Sequence, residues 1–237
     1  MIWLQAHNLE WQAPSSNFHL RISALSLKTG DRISIVGPSG SGKSTLLGLL
    51  ALALRPSGAD IFHLRTDTGK EYDLYTLWRK GKRQQLAALR STLIGFVPQT
   101  SALLPFLTAQ ENILLPLQVT RRKASRKNLE NLIEALDLHN CLHQRPATLS
   151  VGQRQRVAVA RALVADPPLI LADEPTASVP PEQARIIYGM LLNAPNSAVI
   201  MITHDRENAC RAGFTPVEAR LCGQKTTISW PVNVPGR

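Results

Sequence analysis

The sequence holds no apolar run long enough to cross a bilayer. Its longest central stretch, Leu46-Leu47-Gly48-Leu49-Leu50-Ala51-Leu52-Ala53-Leu54, falls well short of the roughly 18 to 20 residues that a spanning helix requires. The start, Met1-Ile2-Trp3-Leu4-Gln5-Ala6-His7-Asn8, lacks a basic opening and a long apolar segment, so a secretory leader is not expected. Cysteine is scarce. Cys141, Cys210 and Cys222 are odd in number and far apart, which excludes a disulfide framework, a zinc ribbon and a CxxC redox pair and fits a reducing, cytoplasmic compartment. No low-complexity tract or internal repeat interrupts the chain, which argues against disorder and against a solenoid. Acidic side chains are nearly missing from one interval. Between residues 76 and 127, Glu111 stands alone against Arg79, Lys80, Lys82, Arg83, Arg90, Arg121, Arg122, Lys123, Arg126 and Lys127, so this interval carries +9 of the formal net charge of +10. Such asymmetry implies a surface facing nucleic acid or an anionic membrane leaflet, the bland alternative being a solvated helical face.

What is present is a globular composition: 237 residues, 44% hydrophobic and 19% charged, enough to bury one sizeable core or two small lobes unaided. Residues 1 to 36 alternate apolar and polar side chains, as in Phe18-His19-Leu20-Arg21-Ile22, with turn chemistry at Pro14-Ser15-Ser16-Asn17 and Thr29-Gly30-Asp31; short antiparallel strands are expected there. Ile33-Ser34-Ile35-Val36 then runs into a Gly/Ser loop, and Ser44 to Leu54 reads as one helix ending at Arg55-Pro56-Ser57-Gly58. A mainly helical middle follows, expected as a separate lobe: a helix near 82 to 91, a strand Ile94 to Val97, a helix opening at Thr108 with Glu111 as its capping box, and an amphipathic helix presenting Leu129, Leu132, Ile133 and Leu136. After Gly152 a helix runs to about Val164. Apolar strands Leu169 to Ala172 and Ala198 to Ile202 flank a helix near 182 to 193, which points to a parallel sheet covered on both faces. Residues 217 to 230 suggest a closing hairpin.

Two constellations carry chemistry. Gly37-Pro38-Ser39-Gly40-Ser41-Gly42-Lys43-Ser44-Thr45 fits G-x-x-x-x-G-K-[ST] between a predicted strand and a predicted helix. Its glycines let backbone N–H groups curl around phosphate oxygens, Lys43 neutralises the β and γ groups, and Ser44 offers an oxygen to Mg²⁺. A P-loop needs a second acid for the metal. Leu169-Ile170-Leu171-Ala172 delivers Asp173 to a strand end, with Glu174 one residue on as candidate general base.

On these motifs the chain resembles the ATP-binding subunit of an ABC transporter, over essentially residues 1 to 230. Leu149-Ser150-Val151-Gly152-Gln153 stands where that family has its LSGGQ signature, Gln99 in Phe96-Val97-Pro98-Gln99 matches the Q-loop, and His204 in Ile202-Thr203-His204-Asp205 matches the switch histidine. The resemblance implies an α/β P-loop NTPase: a RecA-like core with an N-terminal antiparallel β part over residues 1–98 and 165–237, and a helical subdomain over about 99–164. It implies ATP and Mg²⁺ as ligands, with Ser44, Gln99 and Asp173 toward the metal. Gln99 senses the γ-phosphate, and Glu174 and His204 handle the attacking water. Trp11 stacks on adenine, with Phe18 as its rival. It implies further that two copies pack head to tail, each ATP lying between Lys43 of one and Ser150, Gly152 and Gln153 of the other. That a signature opening a helix should meet a γ-phosphate in trans agrees with the positive helix dipole at its N-terminus.

Two positions depart from the family pattern: Val151, where glycine is usual, and Pro180 in Ala177-Ser178-Val179-Pro180, where aspartate normally couples the two ATP sites. Slow or poorly coordinated turnover is expected from Pro180. The stretches Ile94 to Gln99 and Leu103 to Leu117 are similar to the lipoprotein-releasing and macrolide-export (LolD/MacB-like) branch. That likeness implies a separate integral-membrane permease, with the chain peripheral on the cytosolic face of the inner membrane. The alternative is a non-transport ABC ATPase, acting on nucleic acid or as a regulatory module of the cell-division type. Nucleic acid is disfavoured as a partner: only 105 residues separate Ser44 from Ser150, with neither extended heptads nor a cysteine cluster between them.

Overall fold

The computed structural model describes residues 2–123, 125–177, 179–228 and 230. Two long strands, β1 (Trp3–Gln12) and β2 (His19–Lys28), pair antiparallel. Each has ten residues, so the expectation of short strands is corrected. The turn at Thr29 to Asp31 leads into β3 (Arg32–Val36), and the phosphate-type loop then opens α1 (Lys43–Leu50). The alternating stretch after it forms β4 (Ile61–Arg65) and β5 (Glu71–Asp73), which extend the antiparallel part beyond β1. Next come α2 (Leu74–Arg79), α3 (Arg83–Leu93), β6 (Ile94–Val97), α4 (Ala109–Thr120), α5 (Arg126–Ala135) and α6 (Val151–Leu163). The chain closes with β7 (Leu169–Asp173), α7 (Pro181–Leu192), β8 (Ala198–Ile202), α8 (Arg206–Arg211), β9 (Thr215–Cys222) and β10 (Lys225–Ile228). The last two strands form the expected hairpin; Ser229, part of that expectation, lies outside the described residues.

The predicted helix from Ser44 to Leu54 stops four residues early. Leu52 takes a left-handed conformation, φ 55°, and the N–H groups of Ala53 and Leu54 both turn back to Gly48 O at 2.9 Å. This closes the last carbonyls of α1 in the manner of a Schellman cap, with leucine where glycine is usual. Helix propensity alone would have continued the run. Tertiary contacts decide it: Arg90 of α3 donates to Leu52 O at 2.8 Å, and Leu52 itself is 1% exposed.

The ten strands of the described residues form one sheet, in the order β5-β4-β1-β2-β10-β9-β3-β8-β7-β6. From β9 to β6 neighbours run parallel, and β10, antiparallel to β9 and parallel to β2, joins that half to the N-terminal strands. Side chains alternate across a strand, and here each parity has its own core. Leu169 and Leu171 of β7, with Ala198, Ile200 and Ile202 of β8, face a cluster containing α1 and the inner residues of β1 and β2. Ile170, Ala172, Val199 and Met201 face a second cluster with α4, α6 and α7. Strands buried on both faces must be apolar throughout, which is why β7 and β8 carry uninterrupted hydrophobic runs before their polar ends. The helices α4, α5 and α6 do not enclose a core of their own, since Ile113, Leu132, Val157 and Val159 belong to that second cluster together with the sheet residues.

Candidate functional site

The ends of β3, β7 and β8 lie side by side in the sheet, and each delivers polar groups to one cleft. From β3 the chain curls through Gly37 to Gly42. Gly42 holds φ 75° as the N-cap of α1, and a Cβ there would lie 2.7 Å from Phe18 Cζ; both conformation and space require glycine. No side chain caps α1, so the N–H groups of its first turn, at Lys43, Ser44 and Thr45 on the cleft wall, are free to receive an anion. Lys43, 6% exposed, donates from Nζ to Pro38 O at 2.7 Å and to Gly37 O at 3.0 Å, spanning the loop. Burial draws its pKa below the usual lysine value, against the opposing pull of Glu174 and Asp173.

At the end of β7, Asp173 is 8% exposed. Burial raises its carboxyl pKa and the Glu174 charge adds to this, while a hydrogen bond from Ser44 and the Lys43 and His204 charges oppose. Glu174 leaves the strand in a left-handed conformation, φ 48°, and its N–H donates to Ile202 O of β8 at 3.1 Å. Such backbone costs about 1–3 kcal/mol and persists where the surroundings fix it. The consequence is directional: its Oε1 stands 2.7 Å from His204 Nε2, and its Oε2 lies 3.4 Å from Gln99 Nε2. The strand-end residues predicted from sequence are thereby gathered around one point.

Trp11, Ser39, Gly40, Ser41, Gly42, Lys43, Ser44, Thr45, Gln99, Glu174 and His204 line a cleft of about 460 Å³. Trp11 and Phe18 both reach it, their rings tilted at 57° with centroids 6.3 Å apart. Phe18 is committed to the seat beneath Gly42. A broader concavity of about 670 Å³ between α7 and α8 meets the cleft at Glu174 and His204.

The signature residues are elsewhere. Ser150 is the N-cap of α6: its Oγ accepts from Gln153 N at 3.1 Å, and Gln153 Oε1 accepts from Ser150 N at 2.8 Å, a closed capping box. Ser150, Gly152 and Gln153 do not line the cleft, and Val151 is 55% exposed. Pro180 occupies the N-cap of α7, where no side chain accepts from the helix; Ser178 of the same loop lies outside the described residues.

Sequence reasoning missed Arg32. Its guanidinium donates to Leu192 O, Ser197 O and Ala194 O at 2.7 Å each and to Asp31 O at 3.1 Å, fastening the root of β3 to the α7–β8 connection. A lone arginine opening a strand gives no signal of that kind. Neither does Arg161, which reaches the loop after Gln99.

The pattern of the ABC transporter family matches residues 20–177. The lipoprotein-releasing system ATP-binding protein LolD of Legionella pneumophila (strain Paris) is 40% identical over 192 residues, covering 79% of this chain and 80% of that protein. The uncharacterized ABC transporter ATP-binding protein YvrO of Bacillus subtilis (strain 168) is 39% identical over 195 residues, 81% of each. Among solved structures, the ATP-binding cassette MJ0796, in a dimeric post-hydrolysis state bound to ADP and Pi, superposes with a TM-score of 0.77 at 31% identity, covering 95% of this chain and 96% of that one. The chain belongs to the ABC transporter family, as the ATP-binding and ATP-hydrolysing subunit that powers a membrane permease.

Proposed function

We propose that ATP is held in the cleft with its phosphates on the α1 N-terminus and Lys43 and its adenine on Trp11, and that it is hydrolysed there with Glu174 as general base. The observation that carries this is the convergence of Lys43, Asp173, Glu174, Gln99 and His204 from separate strand ends. His204, whose Nε2 stands 2.7 Å from Glu174 Oε1, orients the water and the γ-phosphate, and Gln99 reports the state of that phosphate to its loop. Trp11 is favoured over Phe18 because the latter ring is already packed under Gly42.

The residues fit a hard divalent cation. The Ser44 hydroxyl lies close enough to the Asp173 carboxylate to lower its pKa, Gln99 adds an amide oxygen on the same cleft, and this all-oxygen set is what Mg²⁺ takes. Among the described residues no group of three or more His, Cys, Asp or Glu could hold a metal. When bound, Mg²⁺ would neutralise charge on the β and γ oxygens.

A second copy, packed head to tail, supplies Ser150, Gly152 and Gln153 to the γ-phosphate. In support, the α6 N-terminus is a ready anion site outside its own chain's cleft. The 35–40% identity to lipoprotein-releasing ATP-binding proteins over most of the chain supports a permease of that type, on the inner membrane. No helix among the described residues is long and apolar enough to cross a membrane. The 40% identity to a lipoprotein-releasing ATP-binding protein over 80% of that protein's length supports a permease carried by a separate chain. We assign residues about 99–164, with α4, α5 and α6, to the helical subdomain. Two clusters of the basic interval, Arg79 to Arg83 and Arg121 to Lys127, face the anionic leaflet; charge reversal at both should abolish recruitment to anionic vesicles at physiological salt.

The decisive experiment is Glu174→Gln. Hydrolysis should fall by roughly 10²- to 10³-fold, and the variant should elute as a dimer with ATP and revert to monomer with ADP. Undiminished hydrolysis, or a monomer at saturating Mg-ATP even beside the permease, would refute the proposal.

A further inference from the structure

The loop that follows β6 is held from two sides. Just past Gln99, Ser101 and Ala102 are both left-handed, φ 58° and 42°, a pairing that L side chains adopt only under constraint. The constraint comes from Arg161 in the last turn of α6: Nη2 donates to Ser101 O at 2.7 Å and Nη1 to Ala102 O at 2.9 Å. Two carbonyls side by side suit the rigid fork of a guanidinium better than a point-like ammonium. Burial holds the Arg161 pKa below the usual arginine value, and among the described residues no carboxylate forms an ion pair with it. The charge is spent on the loop backbone alone. At the other end of the loop, the fully buried Asn112 of α4 accepts from Leu104 N and donates to Leu104 O, Leu107 O and Thr108 O.

The same helix that carries Arg161 is wedged against the strand that leads to Gln99. A Cβ at Gly95 of β6 would collide with Ala162 O and with Pro167, so only glycine lets α6 approach this closely. Ser150 caps the opposite end of α6, roughly 16 Å away at 1.5 Å per residue. One rigid helix thus bears the signature at its start and grips the Gln99 loop at its finish.

We propose that Arg161 is a positioning residue for hydrolysis: by fastening the Ser101–Ala102 backbone to α6 it sets Gln99 against Glu174 and makes the placement of Gln99 follow that of Ser150. The proposal rests on the reading of Gln99 as a γ-phosphate group. Arg161 does not line the cleft; it removes the freedom of the loop to carry Gln99 away from the Glu174 carboxylate. Movement of α6, as when its N-terminus engages a nucleotide, is then transmitted to Gln99 through a contact that the sequence motifs do not contain.

The test is steady-state hydrolysis of Mg-ATP by the full chain, with ADP affinity measured by calorimetry. Arg161→Met should lower kcat about tenfold or more while ADP affinity stays within about twofold, and Arg161→Lys should fall between Met and wild type. Adding Gln99→Ala to Arg161→Met should cost no more than Gln99→Ala alone, because the two act as one unit, whereas unrelated structural damage would multiply. Ser101→Gly together with Ala102→Gly should restore part of the Arg161→Met loss, since glycine enters the left-handed conformation without steric cost. Wild-type kcat in Arg161→Met, or losses that multiply, overturns the proposal. Wild-type turnover by Gln99→Ala overturns it by a separate route, removing the reading of Gln99 beneath the clamp. Should Arg161→Met fail to fold, Arg161→Lys decides: reduced kcat with ADP affinity kept supports the clamp, and unchanged kcat refutes it.

Discussion

Two helix N-termini in this molecule offer positive ends to an anion, and they are finished differently. That of α1 has no side-chain cap, is bent around Gly42, and opens into a cleft with Lys43, Asp173 and Glu174 close by. That of α6 is closed by the reciprocal Ser150–Gln153 box and stands outside this cleft. The first is a complete half-site, in which a phosphate can satisfy N–H groups that nothing else satisfies. The second is capped by its own side chains and, on the proposed function, meets a phosphate only when a second copy brings one. On the proposed function, the difference assigns affinity and turnover to separate helix ends, which mutation can separate.

The strongest way to break this comparison is to remove one charged or polar group from each end. Lys43→Ala should weaken ATP binding to the monomer by about a hundredfold or more, the loss of charge-assisted contacts to two phosphates, as read by calorimetry. Ser150→Ala should leave that affinity within about twofold yet lower hydrolysis about a hundredfold, the scale of removing one donor that acts in the transition state. Comparable losses of monomer affinity in both variants would erase the distinction. Ser150→Ala should also cost about 1 kcal/mol of stability through the lost cap, measurable by urea unfolding.

A third helix start sharpens the contrast more gently. The side chain of Pro180, at the N-cap of α7, accepts nothing from the helix, and only its carbonyl takes the Ala184 N–H, at 2.9 Å. Pro180→Asp should restore a cap, adding about 0.5–2 kcal/mol of stability, and should raise both the rate and the cooperativity of hydrolysis if the family coupling is what proline removes. Unchanged rate and cooperativity would remove that idea.

The smallest effect is expected at α4, whose box resembles that of α6 without any proposed ligand. Hydrogen bonds from Thr108 backbone and side chain lower the Glu111 pKa. A carboxylate with a depressed folded-state pKa stabilises above its unfolded value, about 4.3, and loses that contribution as pH falls through the folded value. The melting-temperature advantage of wild type over Glu111→Ala should therefore persist at neutral pH and fade in acid, with ATP turnover unaffected throughout.

The parts of the fold that rest on local pattern were legible in the amino-acid order. The P-loop sits between β3 and α1 as its spacing demands, and the apolar runs of β7 and β8 announced a doubly covered sheet ending in Asp173 and Thr203. The capping box at Thr108 marks its helix to the residue, whereas the helix expected after Gly152 begins earlier, at Val151 behind the Ser150 box. What escaped depends on contacts between distant segments. Leu52 ends α1 because of its burial and Arg90, not because of its own preference. The left-handed turns at Glu174, Ser101 and Ala102 occur at residues with no bias toward them. Arg32 and Arg161 look like ordinary surface cations until the carbonyls they grip are brought near. The short β5 and α2 are too brief to show a period, at three and six residues.

The division of β7 and β8 between two hydrophobic clusters limits how such a chain can change over generations. Gaining or losing a single residue between Leu169 and Asp173 would hand every side chain to the opposite layer and turn the Asp173 carboxylate away from Ser44. Length variation is therefore confined to connectors such as the turn between β4 and β5, while the strand that carries the acids can vary only in which aliphatic it uses.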